Sequence, residues 1–276
     1  RDHNGQFLVM GDRTQTPTGA GYALENRTIM RRVLPSLFRD SQVHRLALYF
    51  RSIRQELARI SPLGGHGKTV LLSPGPYSET YFEHSYLANY LDYALVQGND
   101  LTSRGGKIWL KSLDGLLPVD VILRRVDDYL CDPLELSQYS NQGIPGLMES
   151  VRRGHVAVVN PIGSSLLENP ALSAFLPKIC QQLFGQDLRI PSVFTWWCGQ
   201  KISFQYVMDH FQQLIIKPIA KHHGFSSIMV SELSADDQQQ LKAKISKNPH
   251  LFVAQEKINY STTPTLIDDI IQPRAV

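Results

Sequence analysis

Three runs of leucine and β-branched residues each stop at a loop of small or polar residues. Val70-Leu71-Leu72 runs into Ser73-Pro74-Gly75-Pro76-Tyr77-Ser78-Glu79. Residues 119–123 end in Arg124-Arg125-Val126-Asp127-Asp128, and residues 156–159 are closed by Asn160-Pro161-Ile162-Gly163-Ser164-Ser165. Segments of helical spacing lie between them, from Tyr81 to Leu91 and around residues 146–153, and a further strand is expected at 93–96. Repeated strand–loop–helix order builds an α/β fold. Its parallel strands are joined by crossovers, and a crevice opens outside their carboxyl ends.

The stretch 8–27, LVMGDRTQTPTGAGYALENR, follows the same plan. Residues 6–10 read as a strand, Gly11, Gly19 and Gly21 free the loop backbone, and a helix is expected from Tyr22. The loop carries Asp12, Arg13, Thr14, Gln15 and Thr18, polar groups that no core requires. Helical spacing continues over 26–37 and 43–60. In the second run Leu46, Tyr49, Phe50, Ile53, Leu57 and Ile60 form one face, with arginines on the other. Ser61-Pro62-Leu63-Gly64-Gly65 interrupts it and is the expected domain boundary.

Gly64-Gly65-His66-Gly67-Lys68-Thr69 invites comparison with a phosphate-binding P-loop. Pro62 stands where the first glycine belongs, however, and a strand rather than a helix follows Thr69, so the segment is read as a linker entering a strand. Gly105-Gly106 reads as the turn of a hairpin between 101–102 and 107–110. A helix is expected from Asn169-Pro170 to about Gly185, then an aromatic connector, Trp196-Trp197-Cys198-Gly199. A helix over 203–213, strands at 214–217 and 228–230, a polar helix over 236–246 and a strand over 251–256 complete the pattern.

A formal net charge of +3, with arginines in scattered doublets, argues against nucleic acid as a partner. Three widely spaced cysteines exclude a disulfide framework or a thiolate zinc site and suit a reducing cytoplasm. No apolar run approaches a membrane span. The chain opens on Arg1 and stops at Ala275-Val276 without a closing element, as expected of part of a longer protein.

Seven segments together resemble the circularly permuted ATP-grasp proteins related to glutathionylspermidine synthase, in the branch associated with alpha-E proteins. They are GDRTQTPTGAGYALENR, LLSPGPYSETYFEHSYLANYL, VDVILRRVDD with CDPLEL, GIPGLMESVRRGHVAVVN, PSVFTWWCGQ, LIIKP and HLFVAQEKINYSTTPT, in family order. The resemblance implies an α/β ATP-grasp fold of permuted order. Residues 1–61 would form part of the ATP-grasp core with the metal-site strand, and residues 66–168 a substrate-side domain with a parallel sheet. Residues 169–276 would hold linker helices, the lid and the adenine hinge. It also implies ATP and Mg2+ as cofactors, a peptide or amino-acid-like substrate joined through an acyl-phosphate, and an alpha-E protein as a partner.

On the same basis Lys217 matches the phosphate lysine, and Gln255 and Glu256 match the hinge that meets adenine. Arg124 and Arg125 match arginines facing the crevice. Ser73, Gly75, Ser78, Glu79 and Tyr81 match the substrate-side loop, with Asn160 and Gly163 on the adjoining strand end. Ligase members carry Glu-x-Asn as magnesium ligands on the first strand; here that place reads Gly11-Asp12-Arg13. Asp12 is left as a lone carboxylate, and Arg13 cannot bind a cation but could pair with phosphate in its place. The loop after Pro218 lacks the expected glycines. His222-His223 is not read as a metal site, because adjacent side chains of an extended segment point apart.

Overall fold

The computed structural model describes residues 1–220 and 227–275. Its contacts divide the chain into two compact units, Arg13–Ser165 and the pair Arg1–Asp12 with Leu166–Val276.

The larger unit begins with three helices, α1 (Ala20–Val33), α2 (Pro35–Asp40) and α3 (Ala47–Arg59). Leu34, held out of the helical region by the following proline, divides the first two, and Pro35 opens α2 at the position where its missing N–H costs nothing. Then come β1 (Lys68–Leu72), α4 (Tyr81–Leu91), β2 (Ala94–Val96), β3 (Leu101–Arg104), β4 (Lys107–Ser112), β5 (Gly115–Arg124), α5 (Leu147–Arg152) and β6 (Ala157–Val159). β1 lies between β2 and β5, parallel to both. The other edge of β5 is shared. The antiparallel hairpin β3–β4 takes its first half, and the parallel β6 pairs with residues 121–123. The sheet is therefore mixed, with its parallel strand ends gathered at one edge.

Alternation along β1 and β5 sends Val70, Leu72 and Ile122 into one core with Ile108, Ile144 and Leu147. Leu71, Val121 and Leu123 enter another with Phe50 and Leu57 of α3 and Leu87 and Leu91 of α4. Val70, Leu71 and Leu72 are all fully buried, as in a sheet covered on both faces. Each such side chain contributes about 1.5–3 kcal/mol. Because α3 packs on this sheet, the turn at residues 61–65 falls inside the larger unit instead of dividing two domains. The 66–168 reading therefore lacks α1 and α3, whose apolar residues pack on its sheet.

In the smaller unit residues 6–10 do not form a strand. Val9 makes only an isolated bridge to Ser192. A single-turn 3-10 segment, Pro170–Ala174, replaces the start of the helix expected at Asn169, whose side chain accepts the Ala171 N–H at 2.9 Å. Helix α6 (Leu176–Phe184) follows, then β7 (Thr195–Trp197), α7 (Lys201–Asp209), β8 (Leu214–Pro218), β9 (Ile228–Met229), α8 (Ala235–Lys247) and β10 (Phe252–Glu256). The aromatic connector is thus a strand. It pairs with β10 in an antiparallel sheet of order β7-β10-β8-β9. A hairpin closes the chain, β11 (Thr262–Ile267) and β12 (Ile270–Ala275), turned by Asp268 and Asp269 at positive φ. The replaced glycine loop, from Lys221 on, and the His222-His223 pair lie outside the described residues.

Candidate functional site

In the larger unit the loops after β1, β5 and β6 emerge at the carboxyl edge of the parallel strands, where open α/β sheets hold their ligands. Arg124, expected to face a crevice, ends β5 and is completely buried. Its Nε donates to the Asn160 carbonyl at 2.7 Å, Nη1 to the Val126 carbonyl at 2.7 Å, and Nη2 to the Pro161 carbonyl at 3.1 Å and Ser164 Oγ at 2.9 Å. Nη2 also forms an ion pair with Asp128 Oδ1. Asp128 Oδ2 in turn accepts the N–H groups of Gly163 and Ser165, at 3.0 and 2.9 Å. Here Arg124 ties the β5 and β6 loops together with no face open to a ligand. The Asn160 amide donates to the Thr14 carbonyl, Thr14 Oγ1 donates to the Ser164 carbonyl at 2.6 Å, and Gln15 Oε1 accepts the Asp128 N–H at 2.9 Å. The Thr14-Gln15 stretch is thereby held across both loops. Gly163 is exposed.

Arg125 points elsewhere. It is half-buried and lines a pocket of about 380 Å³ with Thr18, Tyr49 and Leu123. Burial lowers its pKa, an effect opposed by the charge of nearby Glu83 and by Tyr49. Glu83 is almost wholly enclosed and accepts the N–H groups of Gly19 at 2.7 and 3.0 Å and of Gly21 at 2.9 Å. It thus supplies the cap that glycine cannot give α1.

The loop after β1 is built on a chain of polar contacts. Ser73 is buried; its Oγ accepts the Gly75 N–H at 3.1 Å and lies 3.1 Å from His84 Nδ1. His84 Nε2 is 3.0 Å from Thr80 Oγ1, which is 3.1 Å from Ser78 Oγ. Burial, with the charge of Arg125 adding to it, lowers the His84 pKa to about 4, so the imidazole is neutral near pH 7. Gly75 has φ 106°, and a Cβ there would sit 2.6 Å from Gln97 Oε1. Ser78 and Tyr81 are half-buried and Glu79 is exposed, so these three are the members of the expected substrate loop that reach its surface. Sequence reading missed Glu83, His84 and Thr80. The available signal was the Glu83-His84 pair inside the otherwise apolar helix YFEHSYLANYL.

In the smaller unit, strand register sets which side chains share a face. Lys217 pairs with Val253, Ile215 with Gln255, and Gln255 with Thr195. These residues occupy one face, while Leu214, Ile216, Phe252 and Ala254 on the other join the core beneath α7 and α8. Lys217 is half-buried, and burial lowers its pKa. Gln255 shares its face, but the side chain is buried and donates to the Met10 carbonyl at 3.2 Å and Thr195 Oγ1 at 3.0 Å. Its backbone lies between two strands, not at an edge. Glu256 is exposed on the opposite face. It lines an open cleft of about 690 Å³ with Phe194, Trp196, Tyr206 and His210, whose rings stack in series. The Glu256 N–H is spent on the Phe194 carbonyl at 3.0 Å, and the ladder ends there. Lys217 and Glu256 are thus separated by the sheet.

Asp12 and Arg13 are exposed. Among the described residues no group of three or more His, Cys, Asp or Glu side chains is arranged to hold a metal ion. That donor set does not fit a magnesium ion held by carboxylates. Nor is any described helix long and apolar enough to cross a membrane.

A mixed α/β unit and a second unit built on an antiparallel sheet are consistent with an ATP-grasp architecture. The chain belongs to the circularly permuted ATP-grasp type 2 family, whose match spans residues 1–276. It is 32% identical over 277 residues to the uncharacterized protein sll0335 of Synechocystis sp., covering all of this chain and 58% of that protein. It is 31% identical to Rv2411c of Mycobacterium tuberculosis, covering 50% of it, and 35% identical over 263 residues to Rv2567 of the same species, covering 29%. The chain therefore spans about a third to just over half of these relatives. A solved structure of a glutathione synthetase like-effector (GSS30) from Globodera pallida, in apoform, superposes with a TM-score of 0.56 at 11% identity. The match covers 91% of this chain and 56% of that one, a likeness of fold.

Proposed function

We propose that the protein is an ATP-dependent carboxylate–amine ligase acting on a peptide or amino-acid-like substrate. The substrate carboxylate attacks the γ-phosphorus and ADP leaves. The amine then attacks the acyl carbon, its nitrogen loses a proton, and inorganic phosphate leaves. The observation that carries the reading is Lys217, a desolvated ammonium on an inner strand of the small sheet of an ATP-grasp chain. It is suited to the negative charge of transferring phosphate.

In this reading Arg125 meets the acyl-phosphate, and Arg124 positions the loops that carry Asn160 and Gly163. Ser78, Glu79 and Tyr81 meet the substrate, while Ser73, Gly75 and Gln255 hold their surroundings in shape. The adenine lies against backbone near Glu256. A lone Asp12 with Arg13 favours a second reading, a nucleotide-binding scaffold that has lost its metal ligands and works with a partner such as an alpha-E protein.

Calorimetry of ATP binding, with and without magnesium, on the wild type and on Lys217→Ala tests both. Affinity that falls at least tenfold in Lys217→Ala and strengthens with magnesium supports the ligase. Affinity indifferent to magnesium supports the scaffold with Arg13 in the place of the cation. ATP binding unaffected by Lys217→Ala refutes the lysine assignment in both.

A further inference from the structure

We propose that the larger unit carries an oligophosphate-binding site between α1, α2 and α3, with residues distinct from those of the strand-end loops. A cleft of about 850 Å³ is lined by Arg27, Arg31, Arg32, Arg39, His44 and Arg45, and among the described residues no aspartate or glutamate lines it. Five guanidinium groups in one cleft exceed the formal net charge of the whole chain, +3. Their mutual repulsion is a cost that folding alone does not require.

Ordinary roles account for part of the set. Arg31 and Arg32 lie in the last turn of α1, where cations suit the helix dipole. Arg39 approaches Asp40 at 3.8 Å, with both side chains exposed. Neither role explains why Arg27 and Arg45 converge on the same cleft. Arg27 Nε is buried and has no hydrogen-bond partner among the described residues, a donor kept from water without an acceptor.

The start of α3 opens on the same space. Leu46 and Ala47 line the cleft, and the helix has neither a side-chain cap nor an acid in its first turn. Its first amide groups and positive dipole end add to the arginines. Planar guanidinium forks bind carboxylate or phosphate in pairs, but five of them spread over one cleft match a ligand with charge distributed along a chain of phosphates. The cleft volume lies in the range of small-molecule sites, about 300–1,000 Å³. The phosphate chain could be free or the arm of a nucleotide.

Calorimetry with inorganic tripolyphosphate at physiological salt tests the site on the wild type, Arg31→Gln/Arg32→Gln, Arg27→Gln and Lys217→Ala. Arg31 and Arg32 are exposed, so their variant keeps the fold, which a melting curve verifies. The expected result is a saturable binding step that the arginine variants weaken at least tenfold and that persists in Lys217→Ala. Competition by both ATP and CTP would identify the source as a nucleotide phosphate arm; absence of competition would point to free oligophosphate. Either supports the site. No saturable binding in the wild type, binding untouched by the arginine variants, or loss in Lys217→Ala would overturn it. So would hexaglutamate binding as tightly as tripolyphosphate. Because Lys217 lies in the other unit, a failed ligase reading and a failed cleft give separate signatures.

Discussion

Replacing Arg124 by methionine separates a loop-holding arginine from one that meets a ligand. The substitution keeps a long apolar stem but leaves Asp128, which is buried, with the Gly163 and Ser165 N–H groups as remaining partners and no cation. Removing one member of a buried ion pair costs about 3–5 kcal/mol. The carbonyls of Asn160, Val126 and Pro161 also lose charged donors. For a unit of this size each kcal/mol lowers the melting temperature by about 2–4 °C, so Arg124→Met should melt about 6–20 °C below wild type. Arg124→Met/Asp128→Asn should recover part of that loss, because the stranded charge is gone. Circular dichroism melting gives the stability, and calorimetry with ATP well below the midpoint gives the binding. If Arg124→Met melted within about 2 °C of wild type yet lost ligand binding, the loop-holding role of Arg124 would be wrong.

Other consequences are measurable in the same preparations. His84 binds its proton less readily when folded, its pKa falling from 6.5 to about 4, so the unfolded chain takes up the proton first as pH falls. Its contribution is complete above pH 6.5 and is lost between pH 6.5 and 4, by about 3 kcal/mol, and His84→Gln should flatten that part of a urea-unfolding profile. Iodoacetamide at pH 8 should label Cys180 and spare Cys131 and Cys198, whose thiols burial pushes up to about 11; mass spectrometry of the labelled sites decides it. Glu256→Gln should leave ATP affinity within about threefold of wild type, since this side chain faces away from Lys217; a tenfold loss by calorimetry would show that the nucleotide reaches around the strand end.

The strands of the larger unit were legible because fully buried parallel strands are short, apolar and punctuated by turn residues. β1 and β6 are found where Val70-Leu71-Leu72 and residues 156–159 place them. Residues 6–10 misled because an apolar run signals burial and not pairing, and only Val9 finds a bridge. Trp196-Trp197 reads as a connector when short segments are judged alone, yet β10 recruits it into the sheet. The division at residues 61–65 failed for a related reason: a proline–glycine turn marks the end of a helix but says nothing about what its apolar face covers. Arg124 and Arg125 look equivalent in sequence. The pleat turns one inward, to carbonyls and Asp128, and leaves its neighbour beside the pocket of Thr18 and Tyr49.

Helix α4 shows why adjacent polar residues can survive in an apolar helix. Glu83 and His84 point about 100° apart around its axis, so each serves a different loop. Glu83 holds the start of α1 through Gly19 and Gly21, and a Cβ at Gly21 would lie 2.8 Å from its side chain, which explains a glycine inside a helix. His84 holds the loop after β1 through Ser73 and Thr80. Arg125 feels both, since its charge is favoured by Glu83 and itself disfavours protonation of His84. The polar stretch entering α1, the loop with Ser78 and the half-buried arginine are therefore fixed by two neighbouring side chains of one helix. Loss of either should shift the geometry of all three together.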